Sequence, residues 1–333
     1  MRAEASGSSS REPAAPPSDA SAASSKHPIL VTGSHRSGTT WVARMLSAAP
    51  GTAHVEEPLS VRRHAQGVLK VAVNRWYTYV CDENEDTYAD AFADTLAFHY
   101  HPIRALRVAR TKGEFRQAAR DFVSFNRARV LAHRPVLKDP FAVFSARWFE
   151  RRLGCVVVVV VRRPEAVVSS LKRLNWPFDF RDLLEQPLLM RDVLHPWRDR
   201  LEEGDALPGD DVVGRGALLW SAVYGAVARY LDGDDRFQIV RHEDLARNPL
   251  AGFERLYEAT ELELTDRARD TIVRSTRRGN PVEPPPGNPF TTSLDSASSL
   301  DNWRHRLSDY EVARIRALTS ETARLFYGSD ELR

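Results

Sequence analysis

The chemistry of this chain gathers where an apolar run breaks into glycine, arginine and hydroxyls: Pro28-Ile29-Leu30-Val31-Thr32-Gly33-Ser34-His35-Arg36-Ser37-Gly38-Thr39-Thr40-Trp41. Gly33 and Gly38 stand at the spacing of the phosphate-binding loop G-x-x-x-x-G-K-[ST], whose backbone N–H groups and following helix N-terminus form an anion cradle. Thr39 occupies the lysine position, and the positive charge lies inside the loop at Arg36. A phosphate cradle is retained while the group that reaches a γ-phosphate is not. Charge recurs at the ends of other apolar runs. Val136-Leu137-Lys138-Asp139-Pro140-Phe141 delivers a lysine, and the valine run from Val156 to Val161 delivers Arg162, with Ser170 eight residues further on. A guanidinium fork grips a phosphate at two points and a hydroxyl adds a third bond. His54-Val55-Glu56-Glu57-Pro58-Leu59 supplies carboxylates, and a carboxylate in a closed pocket gains proton affinity, which suits general-base work. Each segment alone also fits a blander role: a ligand-free turn, or an arginine that solvates a strand end.

These groups require an alternation of strands and helices to hold them. Short β-branched or apolar runs predict strands near 29–33, 136–138, 155–161 and 237–241, and apolar periodicity predicts helices near 39–48, 141–152, 164–173 and 214–231. Pro164 suits the first turn of its helix, where a missing N–H costs nothing. The order implies an α/β fold, a P-loop-like three-layer sandwich with a central, mainly parallel sheet and helical insertions. Ligands in such folds sit at the carboxyl ends of the strands, where Gly33, Lys138 and Arg162 all fall.

Taken together, the segments resemble the sulfotransferases that use 3′-phosphoadenosine 5′-phosphosulfate (PAPS). Arg36-Ser37-Gly38-Thr39-Thr40-Trp41 resembles their 5′-phosphosulfate loop, and Arg162 with Ser170 resembles the 3′-phosphate-binding segment. Lys138-Asp139-Pro140 is similar to a segment of tyrosylprotein sulfotransferases. Arg241-His242-Glu243-Asp244-Leu245 with Pro249 resembles the late strand and loop, histidine standing where tyrosine is usual. Trp303-Arg304 with Leu307 resembles the segment after the cofactor-covering loop. The likeness is greatest to carbohydrate-type and bacterial members.

The resemblance implies in-line transfer of a sulfuryl group from PAPS to a hydroxyl of a carbohydrate, glycolipid or natural-product acceptor. Arg36 and the backbone of Ser37, Gly38, Thr39, Thr40 and Trp41 would hold the 5′-phosphate, with the Thr39 and Thr40 hydroxyls assisting. Arg162 and Ser170 would hold the 3′-phosphate, and Trp303 and Arg304 would lie against the nucleotide. Lys138 would stabilise charge on the bridging oxygen. Cytosolic members carry a histidine base two residues after this lysine, where this chain has Pro140. Glu57, directly before Pro58, matches the glutamate base of the carbohydrate and tyrosylprotein enzymes, while Glu56 reads as solvated or turn-capping. His54, His99 and His101 are the reserve bases. No metal is required, because the protein supplies the positive groups. Two other readings stay open: a divergent P-loop nucleotide kinase or NTPase, against which Thr39 and Arg162 both argue, and a nucleotide-binding module without chemistry.

The chain has 333 residues, a formal net charge of +2 and two cysteines, Cys81 and Cys155. That balance gives no reason to expect a nucleic-acid partner, and two cysteines make no disulfide framework. No apolar run reaches membrane-spanning length, so no stable membrane insertion is expected. Residues 1–25, rich in Ala, Ser and Pro, read as a disordered tail without a signal-peptide core. One domain over 26–333 is expected, with helical excursions on the acceptor side at 60–135 and 174–211, a cofactor-covering loop at 278–300 and a closing helix over 309–327. The resemblance implies a cytoplasmic enzyme acting on a small-molecule or glycan acceptor. Oligomeric state is not readable from these residues.

Overall fold

The computed structural model describes residues 27–62, 65–230, 236–285, 288, 291–328 and 330–331. The expected tail at 1–25, together with Pro286 and three of its neighbours in the 278–300 loop, lies outside the described residues. Five strands, β1 (Ile29–Gly33), β2 (Thr52–Glu56), β3 (Arg134–Lys138), β4 (Val156–Val161) and β5 (Phe237–Arg241), form one sheet in the order β2-β3-β1-β4-β5. Every pairing is parallel. The chain leaves central β1 toward one edge and returns to build the other side from β4. The crevice between β3 and β4 at the end of β1 is therefore the topological switch point, where open α/β sheets bind ligands.

The all-valine β4 explains how three layers form. Val157, Val159 and Val161 pack into the core on one face, while Val158 and Val160 pack into the core on the other. Period-two alternation thus buries both faces of an unbroken apolar run. All six valines of the strand are buried, five of them completely, each contributing roughly 1.5–3 kcal/mol of transfer free energy. One core takes the helix Val212–Val227 and the aromatics Phe141, Phe144 and Phe149; the other takes the helix Thr39–Leu46 with Phe253, Leu256 and Tyr257.

The expected elements are present, with differences at their ends. The helix Pro164–Arg173 starts at its proline as expected. The segment expected to be helical near 141–152 opens instead as a 3-10 turn, Pro140–Ser145, before the helix Ala146–Leu153. Asp139 caps this turn, accepting the Phe141 N–H at 3.0 Å with one carboxyl oxygen and the Leu59 N–H at 2.6 Å with the other. The closing helix is shorter than expected, Asp309–Ala323. Edge strand β2 was not anticipated: its alternation is short and mixes Val55 with His54 and Glu56. It pairs with β3 so that Glu56 lies beside Lys138.

Candidate active site

The loop between β1 and the helix Thr39–Leu46 is shaped by its two glycines. Gly33 has φ 144°, and a Cβ there would sit 2.5 Å from the Val160 carbonyl oxygen; Gly38 has φ 105°, and a Cβ would sit 2.5 Å from His242 Cδ2. Arg36 between them also takes a positive φ of 70°, a strained conformation for a side-chain-bearing residue. Fixed bonds hold the loop on the sheet. The Ser34 N–H donates to the Tyr224 hydroxyl at 3.2 Å, and that hydroxyl donates to the Val160 carbonyl at 2.8 Å.

Strand ends then bring the cations together. Arg36 Nε donates to Ser170 Oγ at 3.0 Å, and Arg162 Nη1 donates to the Arg36 carbonyl at 3.2 Å. Arg36, Arg162, Arg173 and Arg306 line one cavity. Burial, then the neighbouring Arg162 and Arg173, hold the Arg36 guanidinium down to about 10. Burial likewise lowers Arg162 and Arg173, and Arg306 adds to both shifts. An anion placed among these guanidinium groups would relieve the repulsion between them. Arg162 Nε, Arg173 Nε and Trp41 Nε1 are buried without a hydrogen-bond partner among the described residues.

Gly38, Thr39, Thr40, Trp41, Ser170 and Trp303 line the same cavity as Arg36 and Arg162. Two expected residues do not. Ser37 is fully buried beneath the loop, and its N–H donates to the Ser34 carbonyl at 3.1 Å, closing a turn. The Arg304 guanidinium lies 4.4 Å from the Trp303 ring centroid and pairs with Asp301 at 3.0 Å. The segment Ser298–His305 is a 3-10 helix. Arg306, which caps the end of this helix, lines the cavity, and Arg304 does not. Arg306 also pairs with Glu283. Sequence reasoning missed Arg306, Arg173, Ser169 and His242. A signal existed for two of them: Ala166, Ser169, Ser170 and Arg173 follow i, i+3, i+4, i+7 spacing, one helical face, and all four line the cavity.

A second cavity, of about 670 Å³, holds the carboxylates. Glu57 has φ 40°, and its N–H donates to the Lys138 carbonyl at 2.7 Å. The Lys138 ammonium, nearly inaccessible, pairs with Glu57 Oε1 and with Glu56 Oε1 at 2.6 Å. Glu56 Oε2 also meets His54 Nε2 at 2.7 Å, since residues two apart share a strand face. The expectation that Glu56 is solvated or turn-capping holds only in part: its side chain is 42% exposed, yet it also closes a His54–Glu56–Lys138–Glu57 chain. Burial opposes ionisation of Glu56, but His54 and Lys138 overcome it and hold its carboxyl well below the usual range. Burial works against the charge on Lys138, and the two glutamates outweigh it, raising its pKa. His99 and His101 lie outside the cavity wall, beside Asp94.

The two cavities meet. Arg36, Thr39 and Thr40 belong to the walls of both, so the arginine-lined space and the carboxylate-lined space share one partition. Residues 28–266 match the model of the family described as the sulfotransferase family. The chain belongs to this family. The sulfotransferase is 24% identical over 329 residues to carbohydrate sulfotransferase 1 of Rattus norvegicus, an alignment covering 87% of this chain and 76% of that protein. It is 40% identical over 73 residues to carbohydrate sulfotransferase 1 of Danio rerio, covering 22% of this chain and 17% of that protein, so it spans well under two thirds of that relative. Among solved structures it resembles the sulfotransferase domain of the Synechococcus PCC 7002 olefin synthase, with 16% identity, TM-score 0.42 and coverage of 91% and 96%. It also resembles mouse sulfotransferase SULT7A1 complexed with PAP, with 12% identity, TM-score 0.42 and coverage of 92% and 86%.

One more group faces the carboxylate cavity of the sulfotransferase. His35 Nδ1 bonds the Tyr77 hydroxyl at 2.7 Å, and its ring lies 5.0 Å from that of Trp176. Burial, with Arg36 and Arg62, pushes this imidazole down to about 3, so it is neutral at physiological pH. Among the described residues no helix is long and apolar enough to cross a membrane, and no group of three His, Cys, Asp or Glu side chains could hold a metal ion.

Proposed function

We propose that this sulfotransferase moves a sulfuryl group from PAPS to a hydroxyl of a carbohydrate-type acceptor. One observation carries the reading: a cavity with four guanidinium groups and a cavity with a Glu–Lys–Glu cluster share a wall at Arg36, Thr39 and Thr40. The carbohydrate sulfotransferases among its relatives support the acceptor class. The arginine cavity suits a nucleotide with phosphates at two positions, since Arg162 and Arg173 each keep a buried, unpartnered Nε there. Arg36, Thr39, Thr40 and the turn at Gly38 hold the 5′ side; Arg162, Ser170, Arg173 and Arg306 hold the 3′ side. Trp303 and the 278–300 segment, which contributes Pro284, Thr291, Thr292, Leu294, Ser296 and Ser299 to the cavity, cover the nucleotide. PAPS supplies the activated sulfuryl group and a phosphate leaving group.

Helices within 60–135 wall the acceptor cavity, and the 174–211 excursion adds Trp176. Lys138 holds Glu57 by Oε1, leaving Oε2 to take the proton of the acceptor hydroxyl as its oxygen bonds to sulfur. The ammonium has three N–H donors, and Glu56 and Glu57 use two; the third turns to the oxygen whose bond to sulfur breaks. Arg36 shares neutralisation of that oxygen, an electrostatic role worth about two to three orders of magnitude in rate per donor. The reading carries with it a cytoplasmic site of action. The test is thermal stabilisation by 3′,5′-adenosine diphosphate without magnesium, about 2.7 kcal/mol at a hundredfold excess over Kd. Stabilisation only by ATP with magnesium would overturn the reading in favour of a nucleotide kinase.

A further inference from the structure

Seven of the eleven large apolar side chains that stand exposed among the described residues lie between Ile103 and Leu131. They belong to the helices Pro102–Val108 and Lys112–Val130 and the residue after them. On the longer helix, Phe115, Ala119, Phe122, Val123, Asn126 and Val130 fall at i, i+4, i+7, i+8, i+11 and i+15, one continuous stripe. Phe115, Phe122, Val123 and Val130 in it are 46%, 44%, 65% and 79% exposed. Arg116, Arg120 and Arg127 run along one flank of the stripe. The segment from Pro102 to Leu131 holds eight Arg or Lys against Glu114 and Asp121, a formal charge of +6, in a chain whose total is +2.

A helix with an exposed aromatic and aliphatic stripe flanked by arginine suits the plane of an anionic bilayer, its apolar side chains entering the acyl boundary and its guanidinium groups meeting lipid phosphates. A second copy of the chain suits it poorly, because a symmetric contact would set +6 against +6. The opposite face of the same helix lines the carboxylate cavity with Gln117, Ala118, Asp121 and Phe125. That cavity is graded. Glu56, Glu57 and Lys138 form its polar end, while Val68, Ala105, Val108, Ala109, Ala118 and Phe125 form an apolar wall.

We propose that these two helices dock the enzyme on an anionic membrane surface and that the acceptor is a membrane-borne amphiphile, its hydroxylated headgroup entering the cavity beneath them. The second half rests on reading that cavity as the acceptor site; the first half does not. The experiment is co-sedimentation of the full chain with vesicles of phosphatidylcholine alone or mixed with phosphatidylglycerol. Binding to the mixed vesicles is expected, with at least about a tenfold loss in V123D/V130D and in R116E/R127E. Both variants should keep the parent's thermal shift with 3′,5′-adenosine diphosphate, which shows that they fold. Equal recovery with the two vesicle types, or V123D/V130D binding within twofold of the parent, would overturn the proposal. So would a stable dimer that V123D/V130D splits, which would assign the stripe to a second copy. Vesicle binding without any nucleotide shift in the parent would sink the donor reading and leave the docking surface standing.

Discussion

Exchanging Glu57 for glutamine separates chemistry from architecture at this site. The side chain keeps its shape, and its amide oxygen can still accept from Lys138. The Glu57 side chain is 17% exposed and that of Lys138 3%, so the pair is largely desolvated. The ammonium is not stranded by the change, because Glu56 remains 2.6 Å away. The stability cost is therefore the difference between a charged and a neutral acceptor, about 1 kcal/mol, or about 1.4 °C in Tm for a chain of this size. On the proposed base assignment turnover loses a proton acceptor, and positioned bases contribute about 10²–10⁴ in rate, equivalent to about 2.7–5.4 kcal/mol of barrier at 1.36 kcal/mol per decade. Affinity for 3′,5′-adenosine diphosphate should stay within about twofold, since Glu57 takes no part in the arginine-lined wall. The assay pairs transfer of labelled sulfate from PAPS with nucleotide titration calorimetry on the same preparation. Transfer above a tenth of the parent rate would refute the base assignment and turn attention to His54, which is bonded to Glu56. Equal loss of nucleotide affinity and turnover would refute the division of labour between the cavities.

Two further outcomes are expected. Arg306→Ala should weaken 3′,5′-adenosine diphosphate binding at least about tenfold, whereas Arg304→Ala, whose partner Asp301 faces solvent, should change it by less than about twofold; calorimetry on the two variants decides. His35 makes the protein acid-sensitive in a defined window. Below about 6.5 the unfolded chain takes up a proton that the buried imidazole, held down to about 3, does not, so stability falls as pH drops through that range, by on the order of 5 kcal/mol in all. Asp139, pushed up to about 7 by burial, acts in the opposite sense between about 4 and 7, because there the unfolded carboxyl has already lost its proton. The parent's net slope is therefore shallow, and the readout is the difference. Urea midpoints at pH 4.5 and 7 should show His35→Gln gaining relative to the parent on the acid side, and no gain would contradict a buried neutral His35.

What the sequence made legible was whatever local chemistry dictates. The β1 loop, the strand of valines ending in Arg162 and the helix beginning at Pro164 were readable, because glycine spacing, β-branching and proline each act on their own neighbours. What stayed hidden depends on contacts distant in sequence. Strand β2 exists because β3, some eighty residues later, pairs with it. Glu56 looks like any solvated glutamate until that pairing sets it against Lys138. Arg304 and Arg306 cannot be told apart by type, only by where the end of the 3-10 helix sets each of them. Ser37 sits between Arg36 and Gly38, which line the cavity, yet the turn closed on Ser34 buries it in the protein.

The partition formed by Arg36, Thr39 and Thr40 has a consequence for anyone seeking to redirect this catalyst. Because each of these residues lines both compartments, widening the carboxylate-lined one at any of them would reshape the arginine-lined one as well. The far wall, where Gln117, Asp121 and Phe125 look inward, touches only one compartment. Libraries aimed there would reshape that compartment and leave the arginine-lined one undisturbed.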